Sequence, residues 1–269
     1  MPAPRDTVAL VGSESLLGRE LRDVCATAEP RVHLRLIAAQ EEEAGVLTEQ
    51  EGEPAIVGRL RAGSLEDARA AFLAGSAEAA RQALGFGLQT ILIDLTGAAE
   101  DHPKARLRAP MVEPSGCRPP EGSVHVIAHP AAIALAMVLG RVHARYPVRR
   151  AVAHVFEPAS EHGRRGLTEL QEQTVNLLSF KGLPKAVFDS QLAFNLLARY
   201  GEEAPAPLES FELRIERHLA SLLANAGGAP MPSLRLIQAP VFHGHSFSLW
   251  LELENNPGVE EMERWLGAD

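Results

Sequence analysis

Val8-Ala9-Leu10-Val11-Gly12-Ser13-Glu14-Ser15-Leu16-Leu17-Gly18 is the stretch that decides the fold. Four apolar residues form a short run of buried-strand type, and Gly12 ends it. Gly18 then opens an amphipathic pattern carrying Leu21 and Val24. Working outward, Val32 to Ala39 reads as a second strand, followed by Glu41-Glu42-Glu43. Ala70 to Ala74 and Thr90 to Leu95 read as further strands, with a helical pattern from Glu78 to Leu84 between them. Strands alternating with helices predict βαβ units and a parallel sheet.

The stretch from Pro103 to Gly122 holds five prolines and reads as irregular. His125 to Ala128 is a last strand, which runs into the corner Val126-Ile127-Ala128-His129-Pro130-Ala131-Ala132-Ile133-Ala134. The second half has another texture. Ile133 to Tyr146, Leu167 to Phe180, Gln191 to Tyr200 and Glu209 to Asn225 read as helices, with Val148 to Phe156, Leu234 to Pro240 and Ser246 to Leu253 as strands. Phe247, Leu249, Leu251 and Leu253 alternate along the last strand, and these strands are expected to be antiparallel. The expected architecture is an α/β, Rossmann-like parallel-sheet domain over residues 1–129, followed by an α+β domain over 130–269.

Composition narrows the function. The 269 residues suffice for two modest cores, and the net charge of −9 argues against a nucleic-acid backbone as partner. No apolar run reaches membrane-spanning length, and Met1 to Thr7 runs straight into a strand pattern without a signal-peptide profile. Two cysteines, Cys25 and Cys117, give neither a disulfide framework nor a metal cluster. A cytoplasmic protein with reduced thiols and no bound metal is expected.

Several segments, in order, resemble the aspartate-semialdehyde dehydrogenase family. They are the turn Gly12 to Gly18, the loop Asp94-Leu95-Thr96-Gly97-Ala98, the stretch Ser160 to Thr174 with Gly163-Arg164-Arg165-Gly166, and the helix entry Phe188 to Asn195. The last is Gln238-Ala239-Pro240-Val241-Phe242-His243-Gly244-His245-Ser246, similar to the family's Pro-Val-x-x-Gly-His-Ser signature. The resemblance implies a cysteine nucleophile, a histidine acid/base, an NADP cofactor, an arginine clamping the substrate carboxylate and a dimerising second domain.

Set against that pattern, this chain departs at most positions. The nucleophile position is Ala131, and a methyl group cannot attack a carbonyl. His245 keeps the acid/base position. The clamping arginine falls on Gln238, which cannot form a bidentate ion pair. Glu157 stands where the family has glutamine, and Glu100 where an arginine meets phosphate; His218 aligns with a further substrate contact. In the turn Gly12, Ser13, Glu14, Ser15, Leu16, Leu17, Gly18, Ser15 replaces the glycine that lets backbone approach phosphates. The fold admits NAD or NADP, but Glu14, Ser15 and the carboxylates Glu41, Glu42 and Glu43 oppose it.

Family members also continue past the equivalent of Leu253 into a segment that returns to the first domain. Here the turn Asn255 to Gly258 leads to one short helix, Val259 to Leu266. The resemblance thus implies apolar surface that a partner or the fold itself covers. The leading expectation is a shortened, catalytically silent relative acting by binding or dimerisation, as a homodimer or beside a related dehydrogenase. Two alternatives stand beside it: an NAD(P)-dependent semialdehyde oxidoreductase with non-covalent chemistry, and a heteromeric partner of a true family enzyme.

Overall fold

A computed structural model describes residues 7–29, 32–40, 43–50, 52–113, 119–225 and 227–267. It divides into two units, residues 1–108 with 114–128, and residues 109–113 with 129–269.

The first unit runs β1 (Thr7–Val11), α1 (Leu16–Thr27), β2 (His33–Ile37), a hairpin of β3 (Leu47–Gln50) and β4 (Glu53–Ile56), α2 (Ala62–Leu65), β5 (Ala70–Leu73), α3 (Ala77–Gly85), β6 (Ile91–Asp94), β7 (Ala105–Arg108) and β8 (Val124–Ile127). Successive side chains of a strand point to opposite faces, so the apolar run Val8 to Val11 of β1 needs cover on both sides. Ala9 and Val11 pack on one side with Ala71, Leu73 and the α3 alanines Ala79, Ala80 and Ala83. Leu10 packs on the other with Leu34, Leu36 and the α1 residues Leu21 and Cys25. The result is a six-stranded sheet in the order β2-β1-β5-β6-β8-β7 with every neighbouring pair parallel.

β7, the β3–β4 hairpin and the short α2 escape the sequence reading. β7 lies within the proline-rich stretch expected to be irregular, where Ala-Arg-Leu-Arg pairs with β8 at the sheet edge. Neither strand of the β3–β4 hairpin buries a residue, and neither alternates apolar with polar residues to announce it.

The second unit runs α4 (Pro130–Arg145), β9 (Val148–Glu157), a 3-10 turn (Ala159–His162), α5 (Gly163–Leu178), α6 (Leu208–Asn225), β10 (Ser233–Gln238), β11 (Ser246–Leu253) and α7 (Val259–Gly267). Ala131, Ala132, Leu135, Ala136, Leu139 and Val142 make one buried face of α4, and α6 buries Ile215, Leu219, Leu222 and Leu223. The two helices pack together and lie against the sheet β10-β9-β11. That sheet is mixed: β10 runs parallel to β9 and β11 antiparallel, which corrects the expectation of antiparallel strands throughout. The long α6 connection between β9 and β10 allows the parallel pairing. The last helix docks on α4, with Trp265 Nε1 donating to the Arg141 carbonyl and Tyr146 Oη donating to Glu261.

The expected helix from Gln191 to Tyr200 is absent. Its amides are claimed from afar, because buried Gln173 of α5 accepts from Leu192 N (2.7 Å) and Ala193 N (3.1 Å) and donates to the Pro184 and Ser190 carbonyls. Phe194 takes φ 66°, and Leu197 bridges to Gln238, so local helical preference loses to these distant partners.

Candidate functional site

Strand register in the second unit builds the site. Gln238 sits opposite Glu157, so β9 and β10 end at the same level. β11 returns with Ser246 opposite Phe156, which brings His245 to that same edge. Pro158 breaks β9, and the 3-10 turn after it carries Glu161 and His162. His129 caps α4, its Nδ1 accepting from Ala131 N at 3.2 Å.

These ends bring together side chains 116 residues apart in sequence. One ligand atom each from His129, Glu157 and His245 lies within 4.8 Å of the others. His129 Nε2 lies 3.1 Å from Glu161 Oε1, and His245 Nε2 lies 3.9 Å from Glu161 Oε2. The two imidazoles meet edge to face with centroids 5.6 Å apart. Glu157 is fully buried, and His162 Nε2 lies 3.6 Å from its Oε1, beyond hydrogen-bond reach.

Around this core lie further hydrogen bonds. Tyr200 Oη donates to Gln238 Oε1 (2.6 Å) and lies 2.7 Å from His162 Nε2. Gln238 Nε2 donates to the carbonyls of Glu157 (2.8 Å) and Ala239 (3.3 Å). His218 Nδ1 accepts from His129 N at 2.9 Å.

Burial shapes the charges. Burial works against ionisation of Glu161, yet the His129 hydrogen bond and the charges of His129, His245 and Arg214 outweigh it, and its pKa falls to about 2. Burial lowers the His245 pKa, with the Glu161 charge pulling the other way. Burial, with the Glu157 and Glu161 charges, pushes the Tyr200 hydroxyl well above its ordinary range.

The positions singled out in the sequence have distinct fates. Ala131 is fully buried on α4, and His245 lies at the cluster. Gln238 is also fully buried, with both ends of its amide bonded inside the fold. Glu157 lies in the cluster rather than on an open surface. His218 packs in the core and holds the backbone of His129. Missed by sequence reasoning are His129, Glu161, His162 and Tyr200. His129 alone gave a local signal, as the residue before the proline that opens α4.

The turn of the first unit closes on itself. Gly12 N and Ser13 N donate to the Ile37 carbonyl, and Ser15 N to that of Gly12. Ser15 is the α1 N-cap: its hydroxyl accepts from Gly18 N and donates to the Ala74 carbonyl. Gly12 has φ +85°, and a Cβ there would strike the backbone of Gly75. Glu14 does not present a bare charge to the helix start, because Arg22 (2.6 Å) and Arg19 (3.1 Å) answer it. Glu43 accepts from the amides of Ala39 and Gln40, while Glu41, Glu42 and Cys117 lie outside the described residues. In the loop after β6, buried Asp94 accepts from Thr96 N, Thr96 Oγ1 and Ala99 N, and half-buried Glu100 follows that loop.

The chain thus pairs a Rossmann-like parallel-sheet unit with an α+β unit that carries a histidine–carboxylate cluster. No family model matches the chain. It is 30% identical to the USG-1 protein homolog of Pseudomonas aeruginosa, covering 97% of this chain and 78% of that one. It is 26% identical to an aspartate-semialdehyde dehydrogenase of Prochlorococcus marinus, covering 97% and 76%. A solved structure of a probable aspartate-semialdehyde dehydrogenase from Pseudomonas aeruginosa superimposes with a TM-score of 0.77 at 27% identity, covering 98% and 79%. The chain belongs to the aspartate-semialdehyde dehydrogenase family. Among the described residues, no helix is long and apolar enough to cross a membrane.

Proposed function

We propose that this chain has left the thiol chemistry of its family and acts as a non-catalytic member, through binding at its second unit. The observation that carries this reading is Ala131. Its methyl is fully buried at the start of α4, where thiol chemistry would need a thiolate. Gln238 supports it, since a side chain bonded to Tyr200, Glu157 and Ala239 has no arm left to clamp a substrate. The closed turn of the first unit supports a function that does not require NAD or NADP.

The partner we propose is a second copy or a related dehydrogenase subunit, seated on the outer face of the three-stranded sheet. By register, Arg150, Val152, His154, Arg235, Ser248 and Trp250 share that face, and Trp250 is 57% exposed. The test is turnover of aspartate semialdehyde by the purified protein, in NADPH-forming and NADPH-consuming directions with phosphate present. No turnover is expected. Turnover that vanishes in His245→Ala would sink the reading and favour an oxidoreductase with non-covalent chemistry, which cofactor-fluorescence titration would then detect.

A further inference from the structure

His245 and Glu157 leave three buried polar atoms without a hydrogen-bond partner among the described residues, His245 Nε2 and both carboxylate oxygens of Glu157, and His129 Nε2 meets only the Glu161 carboxylate, 3.1 Å away. Glu157 is 0% exposed and His129 1%. A buried carboxylate with neither oxygen bonded is a costly arrangement, and native structures rarely leave one without an occupant that satisfies it. Here the orphaned atoms converge rather than scatter, with one ligand atom from each residue within 4.8 Å of the others.

We propose that these three side chains form a binding site for one divalent first-row transition-metal ion of zinc type. The ligands are His129 Nε2, His245 Nε2 and the Glu157 carboxylate. Two imidazoles and one carboxylate suit zinc and its first-row neighbours, whereas magnesium and calcium prefer sets made wholly of oxygen. Tetrahedral bonds of about 2.0–2.1 Å put ligand atoms about 3.3 Å apart, so the three need draw together only modestly. Glu161 lies beside both imidazoles and adds the negative charge that offsets a cation. Ligation through His129 Nε2 moves that ring's proton to Nδ1, and the 3.2 Å bond from Ala131 N is given up in exchange. The ion has a way in, since the side chains of His245 and Glu161 are 14% and 23% exposed. Glu157 and His245 are fixed by the register of β9 and β11, and the His218 bond to His129 N holds the chain at the start of α4, so the ligands sit on rigid elements rather than on a loop tip. The site rests on the second unit alone and stands whether or not semialdehyde turnover is absent.

The experiment strips the purified full chain with a chelator and titrates it with Zn²⁺ by calorimetry in excess Mg²⁺. Co²⁺ is used in parallel as an absorbing probe of low-coordinate geometry. The expected result is one ion per chain with micromolar or tighter affinity and intense visible Co²⁺ bands. Glu157→Gln and His245→Gln should each weaken binding about 100-fold. His243→Gln, at an exposed histidine two residues from the site, should bind as wild type. Tryptophan-monitored melting of the stripped variants confirms that they fold. Glu157→Gln removes a buried charge without changing shape and should retain or raise the melting temperature. Absence of Zn²⁺ binding, or wild-type affinity in folded Glu157→Gln, overturns the proposal.

Discussion

Gln238→Leu tests how firmly this buried glutamine is committed to the fold. Leucine keeps most of the volume, so the change removes bonds rather than opening a cavity. Three hydrogen bonds go: from Tyr200 Oη, to the Glu157 carbonyl and to the Ala239 carbonyl. The Glu157 carbonyl keeps a second donor in Ala239 N at 2.9 Å, and Tyr200 keeps His162 at 2.7 Å, so neither is wholly stranded. At about 1 kcal/mol for each bond, the expected loss is about 3 kcal/mol. Tyr200→Phe should cost about 1–3 kcal/mol by orphaning the buried Gln238 oxygen. The double variant removes both partners of one bond, so it should cost about 1 kcal/mol less than the sum. Urea denaturation followed by intrinsic fluorescence reads this cleanly, because both tryptophans, Trp250 and Trp265, lie in the second unit. With a slope of about 2–3 kcal/mol per molar, the Gln238→Leu midpoint should fall by about 1 M or more. Single costs below about 0.5 kcal/mol that simply add would refute the reasoning, since the glutamine would then be free to face a ligand.

Three other outcomes follow from the same physics. Gly18→Ala should destabilise the first unit by more than about 2 kcal/mol, because a Cβ there would strike the Gly12 carbonyl; wild-type hydrogen-exchange protection of β1 would contradict this. Gln173→Ala should strand the amides of Leu192 and Ala193 and cost about 3 kcal/mol or more, exposing residues 184–197 to native-state proteolysis; an unchanged cleavage pattern would count against it. In metal-free protein, Glu161 has a folded pKa of about 2 against an ordinary 4.5, so its contribution is fully present above pH 4.5 and is lost as pH falls toward 2. That contribution is on the order of 3 kcal/mol, and the stability gap between wild type and Glu161→Gln should close over this window; a gap constant down to pH 3 would disprove it.

Legibility followed sequence distance. The β1 turn and α1 were readable because apolar periodicity and two glycines are local signals, and the close approach of Gly12 to Gly75 explains one of those glycines afterwards. The segment from Gln191 to Tyr200 was misread because its deciding partner, Gln173, is on a helix about twenty residues earlier. The parallel pairing of β9 with β10 was misread because strand direction depends on the α6 connection and not on the strands' own residues.

The sequence by itself determined the fold class and the family pattern, both of which live in residue identities and short-range spacing. Only the tertiary structure decided which side chains gather where β9, β10 and β11 meet. Side chains on the α4 cap, the end of β9, the 3-10 turn and the start of β11 share no local pattern. They meet because strand register places Glu157 beside Gln238 and returns His245 to the same edge. Burial then removes the water that would otherwise satisfy Glu157 and His245, and so leaves them, beside His129, in one cluster with unmet bonding capacity.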